Sequence, residues 1–175
     1  MSLPGLRFRL AELQDAAALG EFMSRSFLAT YGHCSTPENV ARAVEQHYGE
    51  QAQRRQIQDP GCWNLIAQIG EQWAGHAQLK FGSEPPPQVR VRPAVELARF
   101  YVDTSQHGQG VAQAMMAQTL QAAKTGGGSS IWLSVWQEAA QAIRFYQKEG
   151  YEVVGPTIFM VGDDAKDDWV MSRTL

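Results

Sequence analysis

The sequence predicts an α/β protein, three-layered or built on a mixed sheet, and three observations point there. The elements between Leu97 and Val154 read strand, helix, strand, helix, strand. Within that run a strand-like segment, Leu97–Val102, passes through a glycine-rich turn into helical spacing at Ala112, Met115, Met116, Leu120 and Ala123. The 175 residues are 44% hydrophobic and 19% charged, which suits one globular domain over residues 1–175 with a core of its own.

Taken in order, Leu6, Phe8 and Leu10 alternate with Arg7 and Arg9 in a short first strand. Asp15 to Thr30 is helical, with Ala16, Leu19, Phe22, Met23, Phe27 and Leu28 on one stripe. After a loop from Tyr31, Thr36 is a good cap and Pro37 suits the first position of a helix. That polar helical stretch runs to about Gln58 and stops at Asp59-Pro60-Gly61. Trp63–Ile69 and Trp73–Phe81 are strands joined by a tight turn at Gly70-Glu71. Ser83–Pro93, with Pro85-Pro86-Pro87, is an extended surface loop. Lys124–Ser130 ends the central helix on glycine, Ile131–Trp136 is a strand, and Ala139–Glu149 is an amphipathic helix. Tyr151–Val154, Ile158–Val161 and Trp169–Ser172 close the sheet.

A net charge of −3 argues against nucleic acid as a partner, which would favour a basic surface. Two cysteines, Cys34 and Cys62, make no disulfide framework and read as reduced thiols. The chain opens with no signal-peptide pattern and holds no apolar run long enough to span a bilayer, so a cytoplasmic protein without membrane contact is expected. His33, His47, His76 and His107 lack ligand spacing, and the Asp163, Asp164, Asp167 and Asp168 group lacks the calcium-loop pattern, so no metal is expected.

The chemistry begins at the glycine turn, His107-Gly108-Gln109-Gly110-Val111-Ala112. A glycine-rich passage from strand to helix leaves backbone N–H groups unpaired at the positive end of the helix dipole. Such a nest holds phosphate oxygens without a basic side chain, so this is read as a pyrophosphate-binding turn. A Walker loop would end in Gly-Lys-Ser/Thr, and a Rossmann fingerprint needs three glycines and a later acidic ribose ligand. What remains, Arg/Gln-Gly-x-Gly-x-Gly/Ala, resembles the GNAT acetyltransferase superfamily, with His107 replacing the usual Arg or Gln and Ala112 at the last small position. The resemblance implies acetyl-CoA as co-substrate, its pyrophosphate held along His107, Gly108, Gln109, Gly110, Val111 and Ala112. It also implies the GNAT fold: a central mixed, mostly antiparallel sheet of about six or seven strands flanked by about four helices.

A second run, Ala142-Ile143-Arg144-Phe145-Tyr146-Gln147-Lys148-Glu149-Gly150-Tyr151, follows about 35 residues later and again looks like this superfamily. By itself Tyr146 is a core aromatic on an apolar helix face. The resemblance makes it the general acid that protonates the departing thiolate, a modest assistance because a thiolate leaves readily. It further implies that the strand Phe100, Tyr101 and Val102 pairs with the pantetheine arm and polarises the thioester carbonyl. Ala139, Ala142 and Phe145 then lie along the cofactor, and Lys148 either reaches the 3′-phosphate or is simply solvated. Glu96, placed by alternation on the same side as Ala98, Phe100 and Val102, is either the base or an exposed strand-end carboxylate.

Over the whole chain, Ser24-Arg25-Ser26-Phe27, Tyr31-Gly32-His33, Thr36-Pro37-Glu38-Asn39, Arg99-Phe100-Tyr101-Val102 and the tail Phe159-Met160-Val161-Gly162-Asp163-Asp164 resemble the bacterial spermidine/spermine N-acetyltransferase branch. Gln137 and Ala139 depart from it, since that branch has Glu and Asn there, and Ala139 lacks the amide that would bond the cofactor or orient the amine. The resemblance points to direct acetyl transfer to a primary amine in a ternary complex, with a polyamine as the leading acceptor and Tyr31, His33 and Tyr48 on the acceptor side. The four tail aspartates either draw that polyamine or serve turn chemistry. Another small amine, a protein N-terminus, or a non-catalytic CoA-binding regulatory module stays open, and dimers common in the superfamily allow a homodimer.

Overall fold

The computed structural model describes residues 3–175. Its seven strands are β1 (Leu6–Leu10), β2 (Cys62–Ile69), β3 (Gln72–Lys80), β4 (Ala94–Val102), β5 (Ser130–Trp136), β6 (Glu152–Val161) and β7 (Asp164–Thr174). Its α-helices are α1 (Ala16–Tyr31), α2 (Pro37–His47), α3 (Glu50–Gln58), α4 (Val111–Thr125) and α5 (Ala140–Lys148). One sheet runs in the order β1-β2-β3-β4-β5-β7-β6. Every neighbouring pair is antiparallel except β4 with β5, so the sheet is mixed and mostly antiparallel, as expected.

Local chemistry accounts for the boundaries. Thr36 accepts a hydrogen bond from Asn39 N–H at 3.3 Å and Pro37 opens α2. The polar stretch that reads as one helix breaks in two at Tyr48-Gly49. Tyr48 is buried against Phe27 with ring centroids 4.8 Å apart, and this docking turns the chain before α3 begins. Leu28, placed on the buried stripe by spacing, faces solvent instead. The two short strands expected around Gly155 are one, β6, bulged between Val153 and Gly155.

Two helical layers cover the sheet. On one side Leu79, Val95, Leu97, Ile131, Leu133 and Met171 form a core with Met116 and Ala123 of α4 and Tyr146 of α5. On the other, Leu19, Met23 and Phe27 of α1 pack with Val40 and Ala43 of α2, Tyr48 and Val161. A bulge in β4 moves residues between these layers: Leu79 faces Leu97 but Gln78 faces Arg99, so Ala98 is an extra residue. Val95 and Leu97 before it, and Phe100 and Val102 after it, therefore all point to the α4–α5 side. Glu96 falls on the opposite side with Arg99 and Tyr101, in register with Lys80 and Cys62, so simple alternation misplaced it beside Phe100 and Val102.

α4 is seated by a glycine. A Cβ on Gly75 of β3 would lie 2.8 Å from the Tyr101 carbonyl oxygen and collide with Met115 Sδ. Gly75→Ala should therefore lift α4 from the sheet and cost about 1–3 kcal/mol, the usual penalty of overpacking, measurable by urea unfolding.

Candidate active site

The glycine turn is built as an open nest. Gly108 and Gly110 take φ of +76° and +86°, which only glycine adopts without strain, and Gly110 stands at the head of α4. A Cβ on Gly108 would meet nothing within 4 Å, so the turn faces outward. Among the described residues no acceptor is found for the N–H groups of Gly108, Gly110, Val111, Ala112 and Gln113. The rest of the turn is tied down from below: Asp103 accepts from Ser105 N–H at 3.0 Å and from its hydroxyl at 2.6 Å, and Gln109 Nε2 donates to Ser105 O at 2.8 Å. His107 turns its ring back to Val102 O, 3.1 Å from Nε2, and its N–H donates to Thr104 O at 3.2 Å, so it braces the turn from behind. These unpaired amides at a helix N-terminus fit a diphosphate.

The strand leading into this turn has a free edge. β5 pairs with β4 only through Ala94–Ser130, Val95–Ile131 and Glu96–Trp132; past that point the strands part, and β5 continues with β7 alone. Leu97–Val102 thus borders a wedge-shaped opening inside the sheet, where unpaired main-chain groups can accept an amide-bearing ligand as another strand. Phe100, Tyr101 and Val102, half-buried, form its β4 wall.

α5 leans on the wedge from the α4 side. Phe100 stacks on Phe145 at 5.7 Å and meets Tyr146 edge-on at 6.3 Å, which places the Tyr146 ring beside the β4 wall. Tyr151 holds its other side at 5.6 Å. Tyr146 is 9% exposed, and burial pushes its phenol well above the ordinary value. It therefore stays protonated at neutral pH, the state a proton donor needs. Ala139 sits at the head of α5 without a side-chain cap, Ala142 is half-buried on the same helix, and Lys148 is exposed in its last turn.

The opposite mouth of the wedge is aromatic. Tyr31 at the end of α1 lies 6.0 Å from Trp136 and 5.9 Å from Phe159, and exposed His33 lies 5.9 Å from Trp136. Tyr48 is buried deeper, stacked on Phe27 and covered by the Arg99 guanidinium at 5.1 Å. The Tyr31 phenol is raised first by burial, then by Asp168, Tyr48 and Tyr146. Beneath this layer Asn64, His76 and Gln78 form a buried polar row, with Asn64 Oδ1 accepting from Gln78 Nε2 at 2.9 Å. Burial holds His76 down at about 3, so it is neutral in use.

The four tail aspartates divide sharply. Asp163 pairs with Arg42 at 2.6 Å, and Asp164 pairs with Lys166 at 2.8 Å while accepting from Ser35 at 2.9 Å. Gly162-Asp163 is the two-residue turn between β6 and β7, with Gly162 at φ +61°. Asp167 is exposed, but Asp168 is 2% exposed on β7 directly opposite Trp136. Burial pushes Asp168 up to about 6, partly offset by the Ser134 hydroxyl and reinforced by Asp167. Asp168 and Arg99, both on the α1 side of the sheet, were legible only as members of a cluster and of a strand. No group of three or more metal-ligating side chains occurs among the described residues.

The model of the Acetyltransferase (GNAT) family matches residues 21–151, which include the turn, the wedge and α5. The chain belongs to the GNAT acetyltransferase family. It is an acetyltransferase that draws its acetyl group from acetyl-CoA. An uncharacterized N-acetyltransferase of Mycobacterium tuberculosis is 29% identical over 163 residues, covering 93% of this chain and 99% of that one. Another, from Lactobacillus delbrueckii subsp. lactis, is 26% identical over 161 residues, 90% of this chain and 92% of its own. Among solved structures, the PaiA N-acetyltransferase of Thermoplasma acidophilum in complex with coenzyme A superposes with a TM-score of 0.75 at 18% identity over 100% of both chains. The putative acetyltransferase YncA of Salmonella typhimurium with acetyl-CoA gives 0.67 at 18% identity, over 98% of this chain and 94% of that one. At those identities the likeness is one of fold.

Within this GNAT enzyme the uncapped head of α5 is a correctable defect. Ala139→Asn should supply the missing cap and raise stability by about 1 kcal/mol, read as a shift in the urea midpoint at unchanged slope.

Proposed function

We propose that this enzyme acetylates a primary amine by direct attack within a ternary complex, and that a polyamine such as spermidine or spermine is its acceptor. One observation carries the proposal: the β4–β5 wedge has the glycine nest and Tyr146 at one mouth and a carboxylate-bearing aromatic mouth at the other. Acetyl-CoA supplies the activated acetyl thioester. The open amides of Gly108, Gly110, Val111 and Ala112 seat its diphosphate, His107 and Gln109 shape the turn through their own N–H bonds to Thr104 O and Gln106 O, and Phe100, Tyr101 and Val102 present the free strand edge to its pantetheine arm. Ala142 and Phe145 pack beside that arm, Ala139 leaves a gap where an amide would bond it, and Lys148 offers a point charge to the 3′-phosphate. Tyr146 gives its proton to the leaving sulfur. Tyr31, His33 and Tyr48 shape the acceptor mouth, whose rings suit a methylene chain bearing ammonium groups. Glu96 lies on this side, at the closed end of the wedge opposite Lys80. The enzyme works as a single domain, and its reduced, half-buried Cys34 and Cys62 suit the cytoplasm.

Thiol release measured over a panel of spermidine, spermine, amino acids, an aminoglycoside and a peptide with a free N-terminus tests the acceptor. Spermidine or spermine should give the highest kcat/KM; a preference for the peptide would overturn the polyamine assignment. Tyr146→Phe should lower kcat about 10- to 100-fold and leave the acetyl-CoA Kd unchanged by calorimetry. Acetyl-CoA binding without turnover of any amine would instead mark a regulatory CoA-binding module. Because Tyr146 titrates far above neutrality, the native rate should show no alkaline decline before about pH 9.

A further inference from the structure

We infer that Asp168 is the catalytic carboxylate of the acceptor mouth: it holds the incoming ammonium and takes the proton that nitrogen sheds as it bonds to the acetyl carbon. The inference rests on the acetyltransferase reading above and adds to it the base and the charge class of the acceptor.

Placement comes first. Trp169 and Met171 point into the α4–α5 core, so Asp168 and Val170 point to the other side of β7. There Asp168 lies opposite Trp136 of β5 and Thr157 of β6, at the rim formed by Tyr31, His33 and Phe159. Ser134, next to it on β5, is exposed although it belongs to an interior strand, because β4 has already parted from β5. The exposed Ser134 thus puts the open side of β5 within one strand of the carboxylate. Tyr31 stands at this rim, its ring 6.0 Å from Trp136 and 5.9 Å from Phe159.

Electrostatics comes second. Asp168 is 2% exposed, yet its Oδ1 has no hydrogen-bond partner and no cation neutralises it. The nearby cations are engaged elsewhere, Arg42 by Asp163 and Lys166 by Asp164. Around Asp168 are Ser134 on β5, Thr157 on β6 and the Tyr31 phenol from α1, with His33 behind Trp136 and Asp167 adding its charge from the other face of β7; none is a cation paired to it. A buried carboxylate with one oxygen unpaired and no counter-charge is expensive, and such groups persist where a ligand completes them. The missing partner is a positive charge flanked by apolar chain, since the rim is aromatic. An acceptor carrying a carboxylate beside its amine, such as a free α-amino acid, would meet repulsion here. Glu96 lacks this vacancy, because Lys80 stands directly across from it.

The proton balance closes. The ammonium loses one proton through Asp168 to solvent, which frees the lone pair. Nitrogen bonds to the acetyl carbon, the carbonyl electron pair moves to oxygen, and Asp168 takes a second proton from nitrogen. The C–S bond then breaks with its pair on sulfur, which receives the Tyr146 proton; solvent carries the second proton back to Tyr146. The products are an amide and a thiol, with one proton released.

The test compares native enzyme with Asp168→Asn and Glu96→Gln, using spermidine and 1,4-diaminobutane, from pH 5 to 9. For Asp168→Asn, kcat/KM should fall about 100-fold or more, and the acid limb near pH 6 should disappear. Its acetyl-CoA Kd should stay within about twofold of native, and its unfolding temperature at pH 7.5 should be equal or higher, since a raised carboxylate pKa makes the charged form a cost above about pH 6. Glu96→Gln should retain kcat/KM within about fivefold. Retention of activity in Asp168→Asn, or transfer of the whole loss to Glu96→Gln, overturns the assignment. So does a loss of rate accompanied by a lowered unfolding temperature or weakened acetyl-CoA binding, because Asp168 would then be structural. Failure of the native enzyme to bind acetyl-CoA would strike the donor site itself, which the calorimetry reports separately from Asp168.

Discussion

The rest of the structure depends on where one parallel strand pairing stops. β4 and β5 share three residue pairs, ending at Glu96 and Trp132, and then diverge. Divergence leaves a row of main-chain groups unpaired inside a sheet, a costly arrangement unless something else pairs with them. The neighbouring strands keep the opening rigid: β3 follows β4 along its length and β7 follows β5. α4 and α5 close one side with Met116 and Tyr146, and α1 closes the other with Phe27 and Tyr31. Each mouth of the opening therefore belongs to a different helical layer, so two ligands can meet at its centre while being recognised by separate surfaces.

The bulge at Ala98 makes that division workable. Without the extra residue, Phe100 would face α1 and Arg99 would enter the apolar core beneath α4. With it, Phe100 joins the Phe145–Tyr146 cluster, and Arg99 stays among polar and aromatic groups over Tyr48. One residue of slack in β4 thus keeps an apolar wall toward α4 and α5 and a polar one toward α1.

Much of this was legible in the chain. The strand–turn–helix passage and the two spaced glycines follow from backbone geometry, and local rules read that well: positive φ at Gly108 and Gly110, and a helix starting at Val111. The apolar stripe of α1 and the Thr36-Pro37 start were equally visible. The face of Glu96 was not, because a bulge is set by pairing with β3 rather than by residues near Glu96. Nor was the separation of Asp168 from Asp163, Asp164 and Asp167, since adjacent aspartates look alike until the hairpin turns some outward to Arg42 and Lys166 and one inward beside Trp136. The split between α2 and α3 depends on Tyr48 finding Phe27, a contact that sequence spacing does not encode.

A seat made of main chain has a further consequence for how such an enzyme diversifies. The turn presents amides, and His107 folds its ring away, so side chains there can drift with little effect on the shape of the nest. The rim around Trp136 is made of side chains alone, and each exchange in it redraws the partner's shape and charge. One entrance is thereby held constant by the polypeptide itself, while the other can be rewritten one side chain at a time without disturbing it.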